Sequence, residues 1–193
     1  MMMKRKAVTL LTVILLVLFI TGSVCAENLT MQFHSNNLRD GYVHTYFSLS
    51  GSISYDTIDA IKNGITAKLR ITFQLTRSDG FLGLAQNILR EKVESLTISY
   101  DVWENSYVIE KEEPKSVYNI EKAANIVQKV NEIISPIVID VASLDTNEEF
   151  LLRAKISIQT IKLYPPFGIF LYFFDPWNYE SNWIYSQPFT IKK

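Results

Sequence analysis

Between Ile65 and Leu75 apolar and polar side chains alternate without a break. Ile65, Ala67, Leu69, Ile71, Phe73 and Leu75 fall in one register, and Thr66, Lys68, Arg70, Thr72 and Gln74 in the other. Successive side chains of an extended chain point to opposite faces, so this period of two confines the segment to a strand with one dry and one wet side. Leu152, Ala154, Ile156 and Ile158 alternate with Arg153, Lys155, Ser157 and Gln159 in the same way. Val43–Leu49, Leu96–Val102 and Ile137–Val141 are shorter examples, and Leu29, Met31 and Phe33 suggest an N-terminal strand. Glu104-Asn105-Ser106 between Leu96–Trp103 and Tyr107–Glu110 predicts a hairpin. Three segments read as helices. Asp56–Asn63 stops at Gly64, Phe81–Val93 carries Leu84, Ile88 and Leu89 at helical spacing, and Asn119 can cap a helix running to Ile134 before Pro136. The expected fold is therefore mainly β, an antiparallel sandwich-like or bent sheet with two or three helical insertions, after an N-terminal signal helix.

The signal helix rests on the first 26 residues. Lys4, Arg5 and Lys6 precede a 14-residue apolar run, Ala7–Ile20, and Val24-Cys25-Ala26 fits a small-residue cleavage pattern before Glu27. Residues 1–26 are expected to be a cleaved signal peptide, and residues 27–193 a single β-rich extracytoplasmic domain, periplasmic or otherwise exported. The alternatives are an uncleaved anchor in the inner membrane, since Thr21–Val24 lengthens the run, and a lipoprotein modified at Cys25. Cleavage removes three of the 19 basic residues and the single cysteine, leaving 16 basic against 20 acidic residues. A mildly acidic chain without a basic run gives no footprint for nucleic acid. Without Cys25 it has neither a disulfide nor a thiolate.

Motifs for chemistry are sparse. No G-x-S-x-G elbow, Walker motif or G-x-G-x-x-G occurs. The two histidines, His34 and His44, sit in strand registers opposite Phe33, Val43 and Phe47, so both should face water. They could meet across paired strands and bind a metal with Asp40 or another carboxylate, but no ligand spacing such as H-x-x-x-H supports a site. Glu112/Glu113 and Glu148/Glu149 read as solvated loop charges. No catalytic residue, metal or cofactor is expected.

What stands out is YPPFGIFLYFFDPWNYESNW, Tyr164–Trp183, in which nine of twenty residues are Phe, Tyr or Trp. Pro165 and Pro166 mark a strand start and Asp175-Pro176 a turn. Between them Phe167, Ile169, Leu171 and Phe173 alternate with Gly168, Phe170, Tyr172 and Phe174, so both faces are apolar. One face can join a core, while the other needs cover from a helix, a partner or a membrane. Phe170, Tyr172, Phe174, Trp177, Tyr179 and Trp183 are accordingly the candidate partner-binding residues.

FQLTR (Phe73–Arg77), EKV (Glu91–Val93), LTISYD (Leu96–Asp101), NIEKA (Asn119–Ala123), PPF (Pro165–Phe167) and SNW (Ser181–Trp183) follow one another in an order similar to that of an exported bacterial family, domain of unknown function 4390. The resemblance covers roughly Leu29–Ile191. The family more often has Ser-Asp-Trp where this chain has Ser181-Asn182-Trp183. The resemblance implies export and a β-rich domain. Because some members are encoded beside a membrane sensor kinase, it also hints at envelope sensing. It carries over no catalytic residue. The expected function is a non-catalytic interaction module for an envelope protein partner, linked to membrane sensing or assembly, with contact to the membrane surface as a further option. The runner-up is a binder of a lipid or other apolar ligand, and the third reading a small hydrolase using carboxylates.

Overall fold

A computed structural model describes residues 29–78, 87–144, 148–161 and 178–191. The strands are β1 (Thr30–Arg39), β2 (Tyr42–Ser50), β3 (Thr66–Arg77), β4 (Ile88–Asp101), β5 (Ser106–Lys111), β6 (Ser116–Ile120), β7 (Ile137–Asp140), β8 (Glu149–Ile161), β9 (Tyr179–Glu180), β10 (Ile184–Tyr185) and β11 (Phe189–Thr190). Among the described residues two helices, α1 (Tyr55–Lys62) and α2 (Ile126–Ile134), interrupt them, the second after a 3-10 turn at Ala123–Asn125. The chain is mainly β and its strand pairs are antiparallel. One sheet has the order β1-β2-β7. The other runs β10-β8-β3-β4-β5-β6, with β9 and β11 also on β8.

The alternating pattern places the core. Ala67, Leu69, Ile71, Phe73 and Leu75 of β3 are buried beside Leu96 and Ile98 of β4 and Leu152, Ala154, Ile156 and Ile158 of β8. Val43, Phe47 and Leu49 of β2 face them, and the Phe47 and Phe73 rings meet at 5.2 Å between the two sheets. These residues belong to one continuous apolar cluster. The β1–β2 hairpin turns on Asp40-Gly41, whose φ values of 52° and 79° suit the primed two-residue turn that follows strand twist. A Cβ on Gly41 would lie 3.0 Å from that of Ala142, so close approach as well as φ selects glycine there.

The β7 side of the small sheet is covered by side chains. β7 pairs with β2 only over Tyr42–Thr45. Beyond it α2 continues the ladder with side chains: the Leu49 N–H donates to Asn131 Oδ1 at 2.6 Å, and Asn131 Nδ2 returns a bond to the Leu49 carbonyl at 2.8 Å. Ser135 Oγ likewise donates to the Phe47 carbonyl at 3.1 Å. On β7 itself, Lys92 Nζ and Arg90 Nε each donate at 3.2 Å to the carbonyls of Val138 and Asp140. Paired or covered edges do not template further strands.

Two helix expectations are corrected. Ile88–Val93 is strand, not the end of a helix: it pairs with Thr72–Thr76 of β3. Residues 79–86 lie outside the described residues. Helical spacing of Ile88 and Leu89 was overridden because the long β3 offers them a ladder, and the charged positions Arg90 and Lys92 are used to reach β7. Asn119 caps no helix, since it belongs to β6 and sits opposite Val108. The helix starts at Ile126, where Ile126, Val130 and Ile134 form its buried stripe. The Asp56–Asn63 expectation agrees with α1, whose cap is Ser54 Oγ accepting the Thr57 N–H at 3.2 Å and whose exit is Gly64 with φ 88°.

Candidate interaction surface

Of the six candidate partner residues, Phe170, Tyr172, Phe174 and Trp177 lie outside the described residues, as do residues 1–26, the expected signal peptide. Tyr179 and Trp183 are both placed against β8. Tyr179 pairs with Ile158 and its hydroxyl donates to the Leu29 carbonyl at 3.1 Å, tying the start of β1 to the large sheet. The Trp183 ring lies 4.4 Å from the Arg153 guanidinium and 5.6 Å from Lys155 Nζ, a cation–π arrangement on the wet face of β8. Beneath it Arg153 Nε donates to Gln74 Oε1 at 2.9 Å and Gln74 Nε2 to Glu91 Oε2 at 2.6 Å, linking β8, β3 and β4 laterally. Lys155 is ion-paired with Glu180.

The small polar residues around these rings have a structural task. β9, β10 and β11 are each two residues long and cannot satisfy the edge of a 13-residue strand. Side-chain oxygens complete the ladder: Asn178 Oδ1, Ser181 Oγ and Ser186 Oγ accept the backbone N–H groups of Thr160, Ile156 and Leu152 at 3.3, 3.0 and 3.1 Å. The Ser181 and Ser186 N–H groups donate back to the Ile156 and Leu152 carbonyls, both at 2.8 Å.

The most exposed apolar groups lie elsewhere. At the tip between β4 and β5, Trp103 is 96% and Val102 73% exposed. The tip is nonetheless stiff. Asp101 Oδ1 accepts the N–H groups of Trp103 at 2.8 Å and Glu104 at 3.1 Å, and the Tyr100 hydroxyl bonds to Asn105 Oδ1. Behind it Tyr100 and Tyr107 meet edge to face at 5.0 Å. Burial pushes the pKa of the Tyr107 hydroxyl up, and the Lys62 ammonium nearby partly opposes the shift.

A second feature lies between the helices. Ile53, Tyr55 and Ile58 around α1 and Ala123, Ala124 and Val127 around α2 line a mostly apolar groove of about 370 Å³. Tyr55, 76% exposed, stands at its margin. Sequence reading placed the hairpin, which β4 and β5 form, but singled out neither its exposed tip residues nor the groove. The isolated Val102-Trp103 in a turn was the available signal for the first. The groove had none, because its two walls come from segments far apart in the sequence, around α1 and at the start of α2.

His34 and His44 do not meet. A bulge between Phe33 and Ser35 leaves His34 exposed and bonded to Ser48 Oγ at 2.9 Å, while His44 is half-buried opposite Asn37. Among the described residues no group of three or more His, Cys, Asp or Glu converges on a metal position, and no helix is long and apolar enough to cross a membrane.

A family model described as domain of unknown function (DUF4390) matches residues 26–186. No curated protein and no solved structure matches the chain.

Proposed function

The chain belongs to the DUF4390 family of unknown function, and from that premise we propose that it is a non-catalytic interaction module of the bacterial envelope. In this reading the domain is exported under the direction of residues 1–26 and binds a protein partner through apolar side chains. The observation that carries it is the groove between α1 and α2. Its walls are side chains of Ile53, Ile58 and Val127 that rest on the core yet leave about 370 Å³ open to the surface. An apolar concavity beside an exposed aromatic residue suits an amphipathic segment of another protein. The same lining and volume favour one second reading, a small apolar or lipid ligand.

In-cell photo-crosslinking tests both. A photoreactive residue at Ala124 is expected to capture one envelope protein, through an apolar segment of that protein, and Ile58→Glu is expected to abolish the adduct. Capture of lipid alone would support the ligand reading, and unchanged capture in Ile58→Glu would overturn the groove as the contact.

A further inference from the structure

The exposed hairpin and Leu29, the first described residue, lie at one end of the large sheet. Tyr179, which holds the Leu29 carbonyl, pairs with Ile158; Ile158 pairs with Leu69, and Leu69 with Leu96. From that level β4 continues six residues to Val102, a rise of about 20 Å at the strand repeat. The hairpin therefore projects past the level of Leu29 toward the end where β8 finishes at Ile161 and the chain returns at Asn178. The opposite end carries the Asp40-Gly41 turn and Tyr42. Leu29 also follows the apolar run Ala7–Ile20 by nine residues, which can span at most about 30 Å. In the uncleaved chain, a bilayer holding that run lies within reach of the hairpin.

The chemistry of the tip fits such a surface. A turn held by Asp101 through two backbone N–H groups could carry polar residues at its apex, but this one carries Val102 and Trp103 almost bare. An indole ring with an apolar body and one N–H donor is suited to the boundary between acyl chains and headgroups. The tip residues 101–105 include two carboxylates, Asp101 and Glu104, and no cation, so attraction to anionic lipid is not the driving force. We propose that the β4–β5 hairpin is a membrane contact of the uncleaved chain, in which Val102 and Trp103 enter the headgroup boundary of a bilayer while the apolar run 7–20 keeps the chain at the membrane; this rests on the alternative in which residues 1–26 are retained. Two side chains bind weakly alone; the tether makes the contact effectively intramolecular, and the contact sets which end of the domain faces the lipid. The inference is independent of the groove and of whatever occupies it.

The test uses the full 193-residue chain in phosphatidylcholine vesicles with brominated or ordinary acyl chains. Brominated lipid is expected to quench a share of the tryptophan emission that disappears in Trp103→Phe, whose circular dichroism and urea midpoint match the parent. In the double variant Trp103→Phe/Tyr42→Trp, the new indole at the opposite end is expected to escape quenching. Replacing part of the lipid with phosphatidylglycerol should not be needed for the Trp103 signal, since the tip carries no cation. Equal fractional quenching in parent and Trp103→Phe overturns the proposal. So does quenching of the indole introduced at position 42 to the same degree as Trp103, or a Trp103 signal that requires anionic lipid. A photoreactive residue at 103 that captures protein while Trp103 remains unquenched makes the hairpin a protein contact, which also overturns it.

Discussion

Trp183 and Trp103 occupy opposite conditions on the same large sheet. Trp183 lies over Arg153 and Lys155, in a C-terminal stretch whose Ser181 and Ser186 are bonded residue by residue to β8. Trp103 stands on a stiff turn with nearly all of its surface in water. The difference teaches that an aromatic residue in a polar setting has no fixed meaning. In the C-terminal stretch the cations come from β8, distant in sequence but adjacent in space, and they use the ring. At the hairpin the turn bonds consume the polar groups and leave the ring unused.

The contrast can be broken by substitution, beginning where the C-terminal stretch meets the core. Phe150 is fully buried and its ring lies 6.4 Å from that of Phe189 in β11. Phe150→Ala is expected to cost about 3–5 kcal/mol in urea denaturation, a large part of the roughly 5–15 kcal/mol typical of a domain. A cost below about 1 kcal/mol would mean that the C-terminal strands are not tied to the core as described.

Trp183→Ala comes next. It removes the cation–π contacts with Arg153 and Lys155 and uncovers the Gln74–Arg153 bond, for an expected loss of about 1–2 kcal/mol. If Arg153→Met lowers the urea midpoint equally and the double variant adds nothing further, the two residues act as one unit. Full additivity would separate them.

Trp103→Ala should have the smallest effect, within about 0.5 kcal/mol of the parent in the same measurement, as expected for a surface position away from packing. A larger loss would show that the ring is covered within the chain and would erase the comparison.

Much of the fold was legible in the sequence because a period of two leaves an extended chain only one way to separate apolar from polar side chains. Ala67–Leu75 and Leu152–Ile158 were readable as core residues for that reason, and Leu96 and Ile98 with the following hairpin likewise. Gly64 and Pro136 punctuated the helices where they end. Of the candidate site, sequence singled out Tyr179 and Trp183 but could not say what they touch, and it passed over Trp103. Burial of an aromatic ring depends on which strands become neighbours, and that is a nonlocal outcome.

The sequence by itself determined the two-faced strands, the family, and the scarcity of cysteine and histidine, because each follows from residue identity and local spacing. Tertiary structure alone decided that Ile88–Val93 would join a ladder rather than a helix, since a 12-residue β3 was available to pair with. It also decided that Asn131 and Ser135 would finish the edge of β2, and that Arg153 would lie under Trp183. Those outcomes rest on hydrogen bonds and contacts between residues tens of positions apart. Local propensity cannot encode them; the requirement that buried backbone groups find partners selects them once the sheets have formed.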